Sequence, residues 1–268
     1  MRVSRNWQSI ALGLLLTTSA WGQTTPEAAQ EQLGKIVATS SNWVFQRTWQ
    51  TQASCAELHA MVEKALNLVM RQATKGMPVA PPKVQIDHFV LMRHAKGVQV
   101  TVKLKGLPEA LKRSTEVKSN TWIATSPQGG VLRALLLQPL AIPTFGNGGV
   151  LKGATCEIAE ETPASLSVTV TPGVVTQIFG RPTKNFLVRI DKEKEVIRTI
   201  KADFTDGSML EASFTHSEVK ARDETSFLMP ATVALRHRGL AALGQGIRLP
   251  TICMLKYGKW RVGKELGK

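Results

Sequence analysis

The chain has 268 residues, of which 43% are hydrophobic and 6% aromatic, and it carries 34 Lys and Arg against 20 Asp and Glu. The resulting charge of +14 favours anionic partners such as lipid headgroups, anionic glycans or nucleic acid, although a solvated basic surface explains it as well. Past the N terminus, no segment approaches the roughly 20 apolar residues that a membrane-spanning helix requires. The length suits one large β-rich domain or two small ones, and we expect one domain over residues 23–268.

The first 22 residues follow the pattern of a secretory signal peptide. Arg2 and Arg5 supply the positive start, and residues 10–16 form a short apolar segment. Ala20 and Gly22 place small side chains at the two positions that a signal peptidase reads. We therefore predict cleavage after Gly22 and an exported protein, periplasmic or secreted. Removal of the two arginines leaves a charge of +12, and export argues against nucleic acid as a partner.

Three cysteines remain after this cleavage, at positions 55, 156 and 253. An oxidising compartment permits one disulfide and leaves one thiol over. Cys156 and Cys253 both fall in strand-like segments, which favours that pair. The cysteine spacings fit no zinc motif, and we expect neither a metal nor a cofactor.

Two helices are predicted in the first third of the chain. Residues 24–27 (Thr-Thr-Pro-Glu) form a helix start, with a capping residue, a proline in the first turn and a nearby glutamate. From Ser54 to Ala73, apolar residues recur at helical spacing and charged residues take the other side. Such a one-sided helix must lie on an apolar surface, and a sheet is the obvious partner.

Antiparallel strands with one apolar face are predicted in much of the remaining chain. They cover residues 84–92, 98–104, 121–125, 131–137, 165–171, 186–190, 196–204 and 210–214. If the apolar positions of two hairpin strands share a face, the loop between them must hold an odd number of residues. Three-residue loops with glycine last fit at Ala95–Gly97 and Thr205–Gly207. The first loop would pair Met92 with Val100, and the second Ala202 with Leu210.

Two features stand apart from this pattern. Residues 138–153 predict a long apolar loop rich in proline and glycine, and such loops are often lids or binding loops, although a plain connector is an equal alternative. Arg198 falls on an apolar strand face. An inward arginine is costly unless it is paired or near a ligand, and the alternative is a position at the rim of the sheet.

The sequence contains no catalytic signature. It has no Gly-x-Ser-x-Gly elbow, and the glycines at 146–149 lack the Lys-Ser/Thr ending of a phosphate loop, so we do not expect an enzyme. A curved sheet covered by helices can instead leave an apolar cavity for a ligand. The candidate lining residues are Trp122, Phe145, Phe204, Phe214, Phe227, Met229, Leu66 and Met70. For most of them, a place in a solid core is the simpler role.

The order of these elements resembles that of the periplasmic lipoprotein-carrier superfamily, the LolA/LolB-like proteins. The resemblance rests on the signal peptide, the N-terminal helix, the one-faced strands and the segments Phe186–Lys192, Ile200–Phe204 and Ser226–Pro230, and it spans roughly residues 54–262. It implies an α+β fold, a curved antiparallel sheet or half-open β-barrel with helices packed over its apolar face. It also implies a carrier of lipid or lipoprotein acyl chains toward the outer membrane, without catalysis. An anionic membrane surface would be a second partner.

Two other classes share parts of this pattern. One alternative is an outer-membrane β-barrel or an envelope-associated protein. A barrel has the same alternation, but the helix at 54–73 and the single tyrosine argue against it, because such barrels show aromatic girdles. The other alternative is a secreted hydrolase or glycan-binding module. The cargo and the oligomeric state do not follow from the sequence.

Overall fold

The computed structural model describes residues 24–73, 83–146, 148–240 and 250–263. The predicted signal peptide and its cleavage site after Gly22 lie outside these residues. The helices are α1 (Pro26–Ser41), α2 (Ala56–Ala73), α3 (Glu109–Thr125) and α4 (Pro127–Ala141). The strands are β1 (Thr48–Ser54), β2 (Gln85–His94), β3 (Gly97–Lys105), β4 (Thr155–Glu161), β5 (Ser165–Thr171), β6 (Gln177–Ile178), β7 (Arg181–Asp191), β8 (Val196–Phe204), β9 (Met209–Lys220), β10 (Ser226–Arg238) and β11 (Ile252–Gly263).

Strands from both ends of the chain build one antiparallel sheet. Its order is β3-β2-β1-β11-β10-β9-β8-β7-β5-β4, and β6 pairs with β7 beside this path. The last strand, β11, lies between β1 and β10 and so joins the first three strands to the later ones. Within the described residues, β3 and β4 form the two edges and do not pair with each other, so the sheet is not closed. The predicted α+β class, an open antiparallel sheet with helices, is confirmed.

Helix α4 lies in the core against the middle of the sheet. Leu132, Leu135 and Leu136 are at most 1% exposed. The hydroxyl of Tyr257, on β11, donates a hydrogen bond to the carbonyl oxygen of Leu136 at 3.0 Å. Burial raises the pKa of Tyr257, which keeps the phenol protonated and able to donate. This bond fixes α4 to the sheet.

The helices α3 and α4 replace two predicted strands, at 121–125 and 131–137, and both of those predictions are wrong. The residues between them form a helix start, because the Ser126 hydroxyl accepts a hydrogen bond from the Gly129 amide at 2.9 Å and Pro127 occupies the first turn. A short apolar run does not distinguish a buried helix from a strand. Since α4 is buried on several sides, it shows no polar stripe to reveal its helical period.

The hairpin between β8 and β9 has the predicted loop. Ala202 pairs with Leu210, and the Phe204 amide donates to the Ser208 carbonyl at 3.0 Å. Gly207 adopts a φ of +79°, in the left-handed region that glycine enters without strain. The three-residue loop at 205–207 is therefore confirmed.

The hairpin between β2 and β3 differs from its prediction. Met92 pairs with Gln99 rather than with Val100, and the loop holds only residues 95 and 96. The cause is a β-bulge at Asp87, which shifts the strand by one residue. Past the bulge, the core-facing residues of β2 are Phe89 and Leu91, which have odd numbers. The core-facing residues of β3 have even numbers. A loop of two residues pairs the odd-numbered residues of one strand with the even-numbered residues of the other.

A second bulge explains Arg198. Arg189 pairs with Thr199, whereas Ile190 pairs with Ile197, which leaves Arg198 as the extra residue of β8. Its side chain is exposed, and its guanidinium donates two hydrogen bonds to one Asp191 oxygen, at 2.9 Å from Nε and 2.5 Å from Nη2. Arg198 therefore faces away from the core, and the inward orientation is wrong.

Candidate functional site

A cavity of about 450 Å³ lies between α1 and the ends of β8, β9 and β10. We call it the α1 cavity. Its volume falls in the range of about 300–1,000 Å³ that is typical of ligand pockets. Its apolar lining includes Ile36, Trp43, Val196, Ile197, Phe227 and Leu228. The site is thus a largely apolar space with one helix as its cover.

The N-terminal end of α1 is anchored to the β4–β5 hairpin. The Thr24 amide and hydroxyl both donate to the Glu161 carboxylate, at 3.0 and 2.5 Å, and the Lys192 ammonium donates to the same group at 2.5 Å. These donors, Lys192 first, lower the pKa of Glu161 to about 2. The carboxylate therefore stays charged and holds the start of α1 over the sheet.

The C-terminal end of α1 is held by aromatic packing. The helix continues into a π-helical turn, Asn42–Gln46, that carries Trp43. The Trp43 ring meets Trp260 of β11 edge to face, with ring centroids 5.9 Å apart. With both ends fixed, the middle of α1 spans the space above β8 to β10.

The lining of the α1 cavity includes a histidine. His216, on β9, is partly buried, and its Nδ1 has no hydrogen-bond partner within the described residues. Burial, followed by the charge of Arg198, lowers the pKa of His216 to about 4. The imidazole is therefore neutral at pH 7 and adds no charge to the cavity.

Charged side chains lie at the edge of the α1 cavity. Lys35 of α1 and Lys194 and Glu195 of the turn before β8 contribute to its lining. Lys35 also contacts Glu31 at 2.8 Å, in a well-exposed ion pair that contributes little stability. The cavity thus combines an apolar interior with a polar, partly basic edge.

A second, smaller cavity of about 180 Å³ lies on the other side of the turn Ile142–Thr144. Phe145, Phe186 and Ile178 line it, and the rings of the two phenylalanines meet edge to face at 5.2 Å. The predicted loop at 138–153 is largely the end of α4 followed by short 3-10 turns, and part of it does line a cavity.

A depression of about 630 Å³ beside the β4–β5 hairpin is larger than either cavity but more polar. Glu160, Glu161 and Lys192 line it together with Thr24, and Glu161 is already bonded to the other two. Its charged lining suits an apolar ligand poorly.

The predicted cavity residues fall in three places. Phe227 lines the α1 cavity, and Phe145 lines the smaller one. The side chain of Met70 lies outside the described part of the chain. The others pack in or against the core, with Trp122 partly buried on α3 and the remaining four at most 7% exposed: Phe204, Phe214, Met229 and Leu66.

The prediction missed the contribution of α1 to the cavity. Ile36 is buried and lines the cavity, three residues after the fully buried Leu33. This spacing places both side chains on one face of the helix. The sequence therefore contained the pattern that predicts a helix with one apolar face over the sheet.

The predicted pairing of Cys156 with Cys253 is also wrong. Cys156 lies on the edge strand β4, and Cys253 on β11 in the middle of the sheet. Six strand spacings separate them, or about 29 Å along the sheet, whereas a disulfide requires Cα atoms within about 7 Å. The Cys253 sulfur instead lies 2.9 Å from that of Cys55.

Comparison with known proteins gives structural matches only. No protein-family model and no curated protein matches the chain. In the described part of the chain, no helix is long and apolar enough to cross a membrane.

Three solved structures are similar to the chain. A putative outer membrane lipoprotein-sorting protein domain from Vibrio parahaemolyticus is 10% identical over 91% of this chain and 96% of its own, with a TM-score of 0.42. A DUF1329 family protein from Desulfovibrio piger is 9% identical over 89% and 93%, with a TM-score of 0.39. A LolA superfamily protein from Nitrosomonas europaea is 6% identical over 89% and 94%, with a TM-score of 0.35.

Proposed function

We propose that the chain is an exported carrier that holds an acyl chain of a lipid or lipoprotein in the α1 cavity. The observation that carries the proposal is an apolar cavity of about 450 Å³ beneath a helix that is anchored at its two ends. Most of the large apolar side chains suspected of lining a cavity pack in or against the core instead. The α1 cavity is a place where the fold leaves room for an apolar guest.

The acyl chain lies among the apolar side chains of the cavity, where burial of its methylene groups supplies the binding energy, about 0.8 kcal/mol for each. Its polar or anionic end stays at the edge, near Lys35 and Lys194. The charge of +12 that remains after the predicted cleavage favours approach to an anionic membrane surface, from which such cargo would be taken or to which it would be delivered.

This role agrees with the export signal that the first 22 residues predict, and places the protein in the periplasm or outside the cell. It requires no catalytic group, metal or cofactor, because burial of an apolar chain is the whole of the binding reaction. Nucleic acid has no part in it.

The experiment adds the same bulk at two neighbouring positions of α1. Both Thr39 and Ala38 are exposed, but Thr39 lines the cavity and Ala38 does not. We expect Thr39→Trp to weaken binding of a fluorescent fatty acid at least tenfold and Ala38→Trp to leave it near the wild-type value. Native mass spectrometry of the purified protein should show bound lipid that denaturing extraction releases. Equal binding by both variants would place the ligand elsewhere, and protein without lipid or fatty-acid affinity would exclude a carrier.

A further inference from the structure

We propose that Cys55 and Cys253 form a structural disulfide. Their sulfur atoms are 2.9 Å apart, within about 1 Å of the bonded distance of roughly 2.04 Å. Both side chains are buried, with 2% and 1% exposed, so the surrounding core holds them against each other. The proposal is independent of lipid binding, because neither cysteine lines the α1 cavity.

The position of the pair in the fold explains what the bond would do. Ser54 pairs with Lys256 at the end of the β1–β11 ladder, and Cys55 follows directly. The Cys55 carbonyl accepts the His59 amide at 2.9 Å, at the start of α2. A disulfide would therefore tie the start of α2 to the beginning of β11, next to the ladder that joins β1–β3 to the rest of the sheet.

This ladder has two features that a covalent link would offset. It is interrupted by a bulge between Gln50 and Gln52. It also joins strands from opposite ends of the chain, with 198 positions between the two cysteines. Closing so long a loop removes much conformational freedom from the unfolded chain, which is the main way in which a disulfide stabilises.

A metal site is the competing chemistry at this place. The two sulfurs and the Glu57 carboxylate lie within 4.8 Å of one another. Zinc, however, binds sulfur at about 2.3 Å in a tetrahedron, which sets two sulfur ligands about 3.8 Å apart, and a structural zinc takes four protein ligands. A separation of 2.9 Å and three donors fit a disulfide better.

Formation of the bond requires an oxidant, and a small-molecule or protein disulfide, such as oxidised glutathione, supplies it. The Cys55 thiolate attacks one sulfur of the oxidant and releases the first thiol, leaving a mixed disulfide. The Cys253 thiolate then attacks the Cys55 sulfur and releases the second thiol. The two cysteines lose two protons and two electrons, and the electrons reduce the oxidant's disulfide to two thiols. Because both sulfurs are buried in the folded protein, the exchange precedes their final burial.

Thiol counting tests the proposal directly. The full chain, exported with its own N-terminal segment, is unfolded in guanidinium with excess iodoacetamide and no reductant, and its intact mass is measured. We expect one alkylated cysteine, Cys156, and three after reduction. Three alkylated cysteines without reductant would overturn the proposal, whether or not native mass spectrometry finds a bound metal.

Cysteine variants supply the matched control. The Cys156→Ser protein should show no alkylated thiol before reduction and two after it, also when it is refolded with oxidised and reduced glutathione. Cys55→Ser, Cys253→Ser and the double variant should each lower Tm by roughly 10 °C, with the double variant no worse than either single one. If these variants fail to fold, the Cys156→Ser thiol count still decides, since two free thiols in that protein would contradict the disulfide.

Discussion

The sheet is covered in two different ways, near its β3 edge and at its central strands β8 to β10. At the first strands, α2 lies directly on β2, with Leu58 and Val62 buried beneath it. Its polar side chains also bond the neighbouring backbone, since the Glu63 carboxylate accepts the Ile86 amide at 2.7 Å and the Asn67 amide oxygen accepts the Val84 amide at 2.9 Å. At β8 to β10, α1 is held at its two ends and leaves a cavity of about 450 Å³.

One sheet therefore carries both a helix that is packed tightly on it and a helix that leaves a cavity beside it. A helix bonded to the sheet along its length brings its apolar face into contact and fills the space. Helix α1 is also packed along its length, since Ala29, Leu33 and Val37 are at most 2% exposed, and it leaves space only where Ile36 and Thr39 border the cavity. The cavity is therefore local to the part of α1 that faces β8 to β10, and the contacts at the two ends of the helix help to hold it there.

The first test compares truncations of one buried side chain in each of these two regions. Ile86 of β2 is 1% exposed and fully packed, whereas Ile36 of α1 borders the cavity. We expect Ile86→Ala to lower the free energy of unfolding by about 4 kcal/mol and Ile36→Ala by about 2 kcal/mol, because a side chain beside an empty space loses fewer contacts. Denaturant unfolding of both variants gives the values. Equal losses would mean that Ile36 is packed as tightly as Ile86 and that no space lies beside it.

A smaller effect is expected from the pH dependence of the α1 cavity. The pKa of His216 is about 4 in the folded protein and near its ordinary 6.5 when unfolded, so the unfolded chain binds the proton more strongly. The neutral His216 side chain therefore stabilises the folded protein relative to the unfolded chain fully above pH 6.5. As the pH falls toward 4, the free energy of unfolding decreases by about 3 kcal/mol in all. His216→Asn should remove that slope. The comparison uses denaturant unfolding at pH 7, 5.5 and 4, and an unchanged slope in the variant would assign the pH dependence to other groups.

Local sequence rules worked where the strands are regular and failed where a bulge intervenes. The rule that a hairpin loop must hold an odd number of residues placed the loop at 205–207 correctly, because no register shift lies between this loop and the pair Ala202 and Leu210. The same reasoning failed at 95–97 because the bulge at Asp87 moved the buried face of β2 by one residue. Nothing in the residues near Asp87 marks the bulge, since its position depends on how neighbouring strands pair.

The candidate site was less predictable than the fold. The start of α1 and the amphipathic face of α2 were readable from spacing and capping residues. The gap under α1, in contrast, depends on a contact between Thr24 and Glu161, which are 137 positions apart. Such a contact leaves no trace in local periodicity. The candidate lining residues chosen from the sequence therefore included more core residues, such as Phe204 and Phe214, than cavity residues.

A still smaller change in stability is expected when the contact between Thr24 and Glu161 is weakened, because it lies near the protein surface at the start of α1. The Glu161 pKa of about 2 is below its ordinary value, so the charged contact is complete above about pH 4.5 and is lost only as the pH falls toward 2. Glu161→Gln should therefore free the start of α1 at neutral pH while leaving global unfolding nearly unchanged. Amide hydrogen exchange should become faster in residues 26–33 and stay the same in α2, whose bonds to the backbone at 84–86 are untouched. Exchange that rises equally in both helices would show that α1 is not held by its end.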